Sequence, residues 1–536
     1  MLLVGLIIWL ATNSFFLDRY RQLIEVQSNK VEKLVIVALI LWILFTSFYA
    51  CFHYLSFLFS VFVRTSGPEA VRRSYENNPP VAILYPCMND IQENSIESCL
   101  AQDYRNYSFF VLDDSTTLEE SERVNLLKEK YSDRISIIRR TNREGFKAGN
   151  LNNALKQIGR GYKYICVVDA DELIVPTFLR EMVAIAEGDE NLGFIQGSHR
   201  QYGNTAYGKG IGDSIETHWN YFLPARNKFG FTYFYGHGAL LRYESLCAVG
   251  GFPEVVSEDI ALATRLREAG HLGFFAHWIV SLEEAPPSYE AFRRRNQKVI
   301  SGTLEFLRKF YPPFALSSNV SIVEKVDLLI SSSIIYQHVP FMSLIFLLGC
   351  LIPMLSLHGF WSGDLGHKGA IFTVQKWDFA LYLLLVAIAP LCYFIPSAIR
   401  SPQRVMCTVI RLGAIQLSIC LQSLGATLRS LMGQTGSFVP TGDRVTTLSH
   451  SWNRFIEPLV GLSLIVIGTL TTSLFLIAVG LSLVLAPIIN RLNLGSRLSS
   501  ALIMLPMLLV IIAVFGMPLL LICMTGLLAT IAFAQP

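Results

Sequence analysis

The run Ile165-Cys166-Val167-Val168-Asp169-Ala170-Asp171-Glu172 decides the fold. Four apolar residues read as a buried strand that leads straight into carboxylates one residue apart, and a parallel sheet delivers acidic groups to its carboxyl edge in this way. Aspartates at that spacing can share a hard divalent cation such as Mg2+ or Mn2+, with waters and phosphate oxygens completing the shell. Asp169 and Asp171 are therefore candidate metal ligands. Alone, the same pattern also describes a strand end followed by a solvated acidic turn.

Working outward, residues 81–85 read as an apolar strand, 91–100 as a helix, and 109–112 as a second strand ending at Asp113-Asp114. A helix over 118–131 and a strand over 135–138 continue the alternation, which predicts a parallel α/β sheet. This ordinary composition covers residues 65–325, while both flanks are long apolar runs. With 52% hydrophobic and 16% charged residues the chain cannot be wholly soluble. The expectation is an α/β domain inserted into a polytopic α-helical membrane protein. Residues 1–64 supply two transmembrane helices, over 1–17 and 34–63. The first lacks the basic start of a secretory signal and reads as a span, with a signal anchor as the alternative. Residues 326–536 supply about four more, over 327–357, 377–398, 457–488 and 501–534.

The run 403–427 differs because Arg404, Arg411, Gln416 and Gln422 interrupt it, which suits an interfacial amphipathic helix. Arg64, Arg72, Arg73, Arg400, Arg404, Arg429, Arg444 and Arg454 fall on one side of a six-span arrangement. The positive-inside rule makes that side cytoplasmic and predicts a multi-pass protein of the cell membrane with its inserted domain in the cytoplasm. A net charge of +3 without a basic tract excludes a nucleic-acid-tracking surface. Ten cysteines without any Cys-x-x-Cys exclude structural zinc fingers and a disulfide framework.

Four more patterns accompany the opening run. Asp113-Asp114-Ser115 ends a strand, where carboxylates can bond a base edge and a ribose hydroxyl. Lys147-Ala-Gly-Asn-Leu-Asn152 places a cation and small residues at a helix start, as a phosphate neighbourhood requires; an ordinary helix start after a glycine turn looks similar. Ser257-Glu258-Asp259 opens an amphipathic helix, with serine as a cap and one acid reaching into a cleft to take a proton; capping alone is the bland reading. Arg293-Arg-Arg-Asn-Gln-Lys298 can hold a diphosphate leaving group or form a solvated helix face.

In this order the motifs resemble those of the processive family 2 glycosyltransferases, meaning cellulose, hyaluronan and related polysaccharide synthases. The motif order covers residues 80–445, and Lys147 to Asn152 is its most specific match. The resemblance implies a GT-A domain, a nucleotide-sugar donor bound with divalent metal, and a growing glycan threaded through the spans. By position, Asp113 and Asp114 would meet the nucleotide, Lys147, Asp169, Asp171, Arg295 and Lys298 the diphosphate, and Asp169 with Asp171 the metal. Asp259, beside Glu258, would be the general base, and His237 and Gly238 would lie on the acceptor side. Two segments depart from the family: Gln-x-x-Arg-Trp becomes Arg295-Asn-Gln-Lys298-Val299, and a gating-loop-like segment over 433–445 keeps Phe438 and Thr441 but has Asp443-Arg444 for its lysine.

The activity this implies is inverting transfer from a nucleotide-diphosphate sugar, with UDP-glucose expected, to elongate and export a β-linked polysaccharide of the capsule or exopolysaccharide kind. A non-processive enzyme acting on a membrane lipid is one alternative. A polytopic transporter with a regulatory α/β domain is another.

Overall fold

In the computed structural model the described residues are 2–25, 30–62, 78–202, 218–286, 289–333, 386, 389–395, 399, 402–433, 453–470, 474–492, 502 and 504–509. The chain divides into two compact units, one of Met1–Phe62, Tyr336–Leu424 and His450–Pro536, the other of Val63–Ile335 and Gly425–Ser449.

The first unit begins with helices α1 (Leu2–Phe15), α2 (Leu17–Glu25) and α3 (Lys30–Phe62). Among the described residues only Lys30–Val61 is a helix long and apolar enough to cross a membrane. The 33 residues of α3 reach roughly 50 Å at the usual rise, more than a bilayer core needs. Trp9 Nε1 on α1 donates to Leu44 O and Ser47 Oγ on α3, both at 3.0 Å. The run 457–488 is two helices, Asn453–Leu470 and Leu474–Leu492, rather than one span. They approach so closely that a methyl group on Gly461 would lie 2.7 Å from Gly480 O, and one on Gly480 2.4 Å from Gly461 O. Small residues permit this contact, as they do between membrane helices. The segment read as interfacial lies in a helix over Pro402–Leu431, and its Leu417 and Cys420 pack with Leu476, Val479 and Leu483. The runs 501–534 and 377–398 are described only in part, and 334–357 lies outside the described residues.

The second unit is built on an eight-stranded sheet: β1 (Val81–Cys87), β2 (Tyr107–Asp113), β3 (Ser136–Arg139), β4 (Tyr164–Val167), β5 (Glu172–Ile174), β6 (Leu192–Tyr202), β7 (Ala239–Arg242) and β8 (Leu272–Glu284). The spatial order is β3-β2-β1-β4-β7-β6-β8-β5. The expected parallel sheet is present as β3-β2-β1-β4, and β7 then joins β4 in the antiparallel sense. β1 and β4 are apolar throughout because both faces are covered. Ile83 and Tyr85 face a core with Phe178, Met182 and Val183 of helix α7, while Ala82 and Leu84 face one with Leu151 and Ala154 of helix α6. In chain order these domain helices are α4 (Glu93–Leu100), α5 (Leu118–Tyr131), α6 (Phe146–Ile158) and α7 (Phe178–Gly188).

The connection from β1 goes first to β2 on one side, and the chain returns to β4 on the other. That reversal opens a crevice at the carboxyl edge, the place where α/β sheets bind ligands. Asp113 ends β2, and Asp169 and Asp171 follow β4, so both acidic signatures lie on this edge.

Candidate active site

The Asp169-Ala-Asp171 turn is fixed from below. Tyr85 Oη, fully buried in β1, donates to Ala170 O at 2.9 Å, and Ser95 Oγ on α4 donates to Glu172 O at 2.5 Å. The acids therefore leave the sheet in one conformation.

Every polar member of the Lys147 to Asn152 segment has a definite task. Gly145 enters helix α6 in the left-handed region at φ 74°, with Phe146 at φ 53° behind it. Arg140 closes the turn: its guanidinium binds both oxygens of Asp114 and donates to Glu144 O at 2.6 Å and Phe146 O at 2.9 Å. A methyl group on Gly149 would lie 2.1 Å from Glu144 O, so only glycine lets the loop fold back here. Asn150 Nδ2 donates to Leu112 O at 3.0 Å, tying α6 to the end of β2. Asn152 exchanges two 2.8 Å hydrogen bonds with the backbone of Phe252. Lys147 is thereby aimed at the edge, where its Nζ pairs with Asp169 and donates to Gly236 O at 3.1 Å.

Opposite stands the helix start carrying Glu258 and Asp259. The helices between are α8 (Arg226–Phe229) and α9 (Tyr243–Ala248), and this one is α10 (Glu258–Glu268). Ser257 makes no side-chain cap, contrary to expectation. Its hydroxyl instead lies where Gly302 leaves room, since a methyl group there would come 2.2 Å from Ser257 Oγ. Asp259 Oδ1 accepts its neighbour Ile260 N–H at 2.8 Å. Gly236, at φ 86°, faces the whole group: a methyl group on it would lie 3.4 Å from Asp259 Cβ, 3.5 Å from Glu258 Oε1 and 3.7 Å from Lys147 Nζ.

The charges are strongly coupled. Burial alone would pull the Lys147 ammonium down, but Asp169, Glu258 and Asp259 outweigh it and hold it above its ordinary value. Burial pushes the Asp169 carboxyl up, yet Lys147 and His237 keep it below the usual range. Asp171 goes the other way: burial, then Glu283 and Asp169, push it up to about 8. Burial and then Asp259 raise Glu258 to about 7, and burial raises Asp259 as well. Lys298 is lowered by burial, with Glu258 and Asp169 acting against it. It lies on helix α11 (Tyr289–Lys309), as does Arg295, whose Nη1 is 3.1 Å from Glu283 Oε1.

The structure thus gathers Lys147, Asp169, Glu258, Asp259 and Lys298 into one cluster, with Asp171, Glu283 and Arg295 beside it. Asp113 stands at the same edge, its Oδ1 accepting Ser115 N–H at 2.9 Å and its Oδ2 accepting from Arg139 Nε at 2.7 Å. Asp114 is turned to Arg140 in a buried bidentate pair rather than held open. His237 and Gly238 belong to a neighbouring buried group: Glu172, His199 and His237 place ligand-type atoms within 4.8 Å of one another. Phe438, Thr441 and Arg444 of the gating-loop-like segment lie outside the described residues. Arg140, Glu283, Glu172 and His199 were not singled out from the sequence. Their roles depend on partners distant along the chain, and only Glu172, adjoining the Asp-Ala-Asp run, carried a local hint.

Residues 164–396 match the model of the glycosyl transferase family group 2. The chain is 26% identical over 275 residues to glucans biosynthesis glucosyltransferase H of Pseudomonas fluorescens, covering 46% of this chain and 32% of that protein. It is 24% identical over 284 residues to the Vibrio cholerae protein of the same name, covering 46% and 38%. The match thus spans about a third of the length of these relatives. A mannosyltransferase of Pyrobaculum calidifontis, solved with GDP-Man and Mn2+, superposes with a TM-score of 0.47 at 19% identity, covering 73% of this chain and 99% of that one. The family match takes in both the Asp-Ala-Asp turn and the Glu258-Asp259 helix start, so over residues 164–396 the chain is similar to the glycosyl transferases of family group 2.

Proposed function

We propose that this protein is an inverting hexosyltransferase that moves glucose from UDP-glucose onto a hydroxyl of a growing β-linked glycan. The observation that carries this reading is the convergence of Lys147, Asp169, Glu258 and Asp259 about Gly236 at the carboxyl edge of the sheet. Asp259 takes the proton of the acceptor hydroxyl as that oxygen attacks the anomeric carbon and the diphosphate departs. Lys147, Lys298 and Arg295 stabilise the charge that develops on the departing diphosphate. Asp113 contacts the nucleotide, and Asp114, held by Arg140, sets the loop beside it.

The oxygen-rich donor set fits a hard cation. Burial first, and then the charges of Glu283 and Asp169, raise Asp171 to about 8, an imbalance that a divalent ion relieves. Asp171 with Asp169 would hold Mg2+ or Mn2+, which supplies Lewis-acid stabilisation of the diphosphate. The apolar flanks support a multi-pass protein of the cell membrane with about six spans, the transferase domain in the cytoplasm and the polymer threaded outward. The names of the relatives support a glucan product.

A lipid-linked acceptor is the second reading. It is favoured by Val299, 45% exposed on α11, where the family has a tryptophan to stack on a sugar. A transporter leaves the motif order unexplained. Incubating membranes that contain the protein with labelled UDP-glucose tests the proposal. Label in high-molecular-mass material supports the polymer reading, label confined to an organic-soluble product selects the lipid reading, and no transfer overturns both.

The pair Glu258 and Asp259 also sets a pH dependence. With Glu258 raised to about 7 and Asp259 raised beside it, transfer is expected to fall as the pH drops through that value and the pair takes up a proton. Glu258→Gln removes the neighbouring charge, so the acidic limb of the rate profile moves to lower pH. An unmoved limb contradicts the pairing. The sign for stability is the opposite: the folded pair holds a proton that the unfolded chain releases from about 4.3 upward, so this pair weakens folding as the pH rises to about 7.

A further inference from the structure

Glu172 follows the metal and diphosphate turn, yet it points away from the cleft, with its side chain 0% exposed. Its Oε2 accepts the backbone N–H of Asp169 at 3.2 Å and lies 3.1 Å from His237 Nδ1. Its Oε1 lies 3.5 Å from His199 Nδ1, which also has Ser281 Oγ at 3.3 Å. Two imidazoles and a carboxylate this close match the donor set of a transition-metal site. Gln196 decides against that use. Its Oε1 accepts Tyr235 N–H at 2.8 Å and its Nε2 donates to His237 O at 2.9 Å, which fixes the amide orientation. The same Nε2 faces His199 Nε2 at 3.1 Å, so that ring nitrogen must be the acceptor and the proton must sit on Nδ1, directed at Ser281 Oγ and Glu172. The nitrogen a metal would need is thus already protonated. Space agrees, since a methyl group on Gly238, at φ 57°, would lie 2.4 Å from Glu172 Oε1.

What the group does instead is join two walls of the cleft. One partner of Glu172 is the Asp169 turn on the donor side; the other is His237, next to the Gly236 that faces Asp259 and Lys147. We propose, resting on the transferase reading above, that Glu172 and His237 are a positioning pair that locks the loop 234–238 to the Asp-Ala-Asp turn and so keeps the accepting hydroxyl in register with the donor's anomeric carbon. Neither residue touches the reacting atoms. Their loss lets the loop shift while the donor station stays charged, so water can replace the sugar hydroxyl as acceptor.

The test measures, for the full-length protein in membranes, sugar transferred to acceptor and sugar released to water from UDP-glucose. His237→Ala is expected to lower transfer by about a hundredfold, the scale of a small misplacement, with hydrolysis falling far less, so the hydrolysis-to-transfer ratio rises. His237→Asn, which keeps a donor toward Glu172, restores the ratio toward that of the unchanged protein. A merely structural role lowers both rates in proportion and leaves the ratio alone, which overturns the proposal, as does failure of asparagine to restore it. Stoichiometric zinc in the purified protein that is lost in His237→Ala also overturns it in favour of a metal site. If the unchanged protein transfers no sugar at all, the transferase reading falls, and this role with it; an active protein with an unmoved ratio removes only the positioning pair.

Discussion

Replacing Asp259 by asparagine is expected to lower sugar transfer by about 10²- to 10⁴-fold, the usual worth of a positioned general base. The variant is informative because it changes little else. Asparagine has nearly the same volume, and its carbonyl oxygen can still accept the Ile260 N–H that Asp259 Oδ1 accepts at 2.8 Å, so the start of α10 is preserved. What disappears is the ability to take the proton of the incoming hydroxyl. Initial rates of transfer, measured beside thermal melting of the same preparation, check this. Normal melting with the rate lost supports the assignment, and a near-normal rate removes Asp259 as the base.

The second large effect is on stability. Arg226 on α8 and Asp327 on the helix α13 (Ile322–Ser333), which follows α12 (Tyr311–Leu316), form a buried ion pair 2.8 Å apart, 4% and 1% exposed by side chain. The remaining oxygen of Asp327 accepts Phe231 N–H at 3.0 Å, and Gly230 is glycine because a methyl group would sit 2.4 Å from it. Asp327→Ala strands the guanidinium over the Phe222 ring, 3.3 Å from its centroid, with the Phe222 carbonyl still accepting from it at 2.7 Å. Removing one partner of such a pair costs about 3–5 kcal/mol, because the other charge is left uncompensated. The melting temperature of the full-length protein should fall markedly, and transfer should fall with it because residues 226–231 lead into the Gly236 loop. An unchanged melting temperature contradicts the burial argument.

The sheet's parallel half and the placement of the acids were legible because they rest on local pattern. An apolar run such as Ile165 to Val168 ending in acids states both a buried strand and its edge. The mixed half was not legible: β7 runs antiparallel to β4 and β6 while β6 and β8 pair in parallel, these strands lie far apart in sequence, and nothing in their composition fixes their order. The site divides in the same way. Lys147, Asp169 and Asp259 stood out through motif spacing, and the structure brings them together about Gly236. Arg140 read only as one charge among several, because its task of binding Asp114 and two loop carbonyls exists only after α6 has folded back. Ser257 shows the limit of local rules, since a serine ahead of Glu258 fits a capping pattern while its hydroxyl is engaged against Gly302.

The central claim is a single displacement across the cleft, with the diphosphate leaving toward Lys147 and Asp169 and the acceptor activated by Asp259. The stereochemistry of the new bond tests it most directly. Nuclear magnetic resonance of the product formed from UDP-α-glucose should show a β-linked sugar from the first turnover. An α-linked product would contradict the account, because retention requires a second nucleophilic step that this arrangement does not provide.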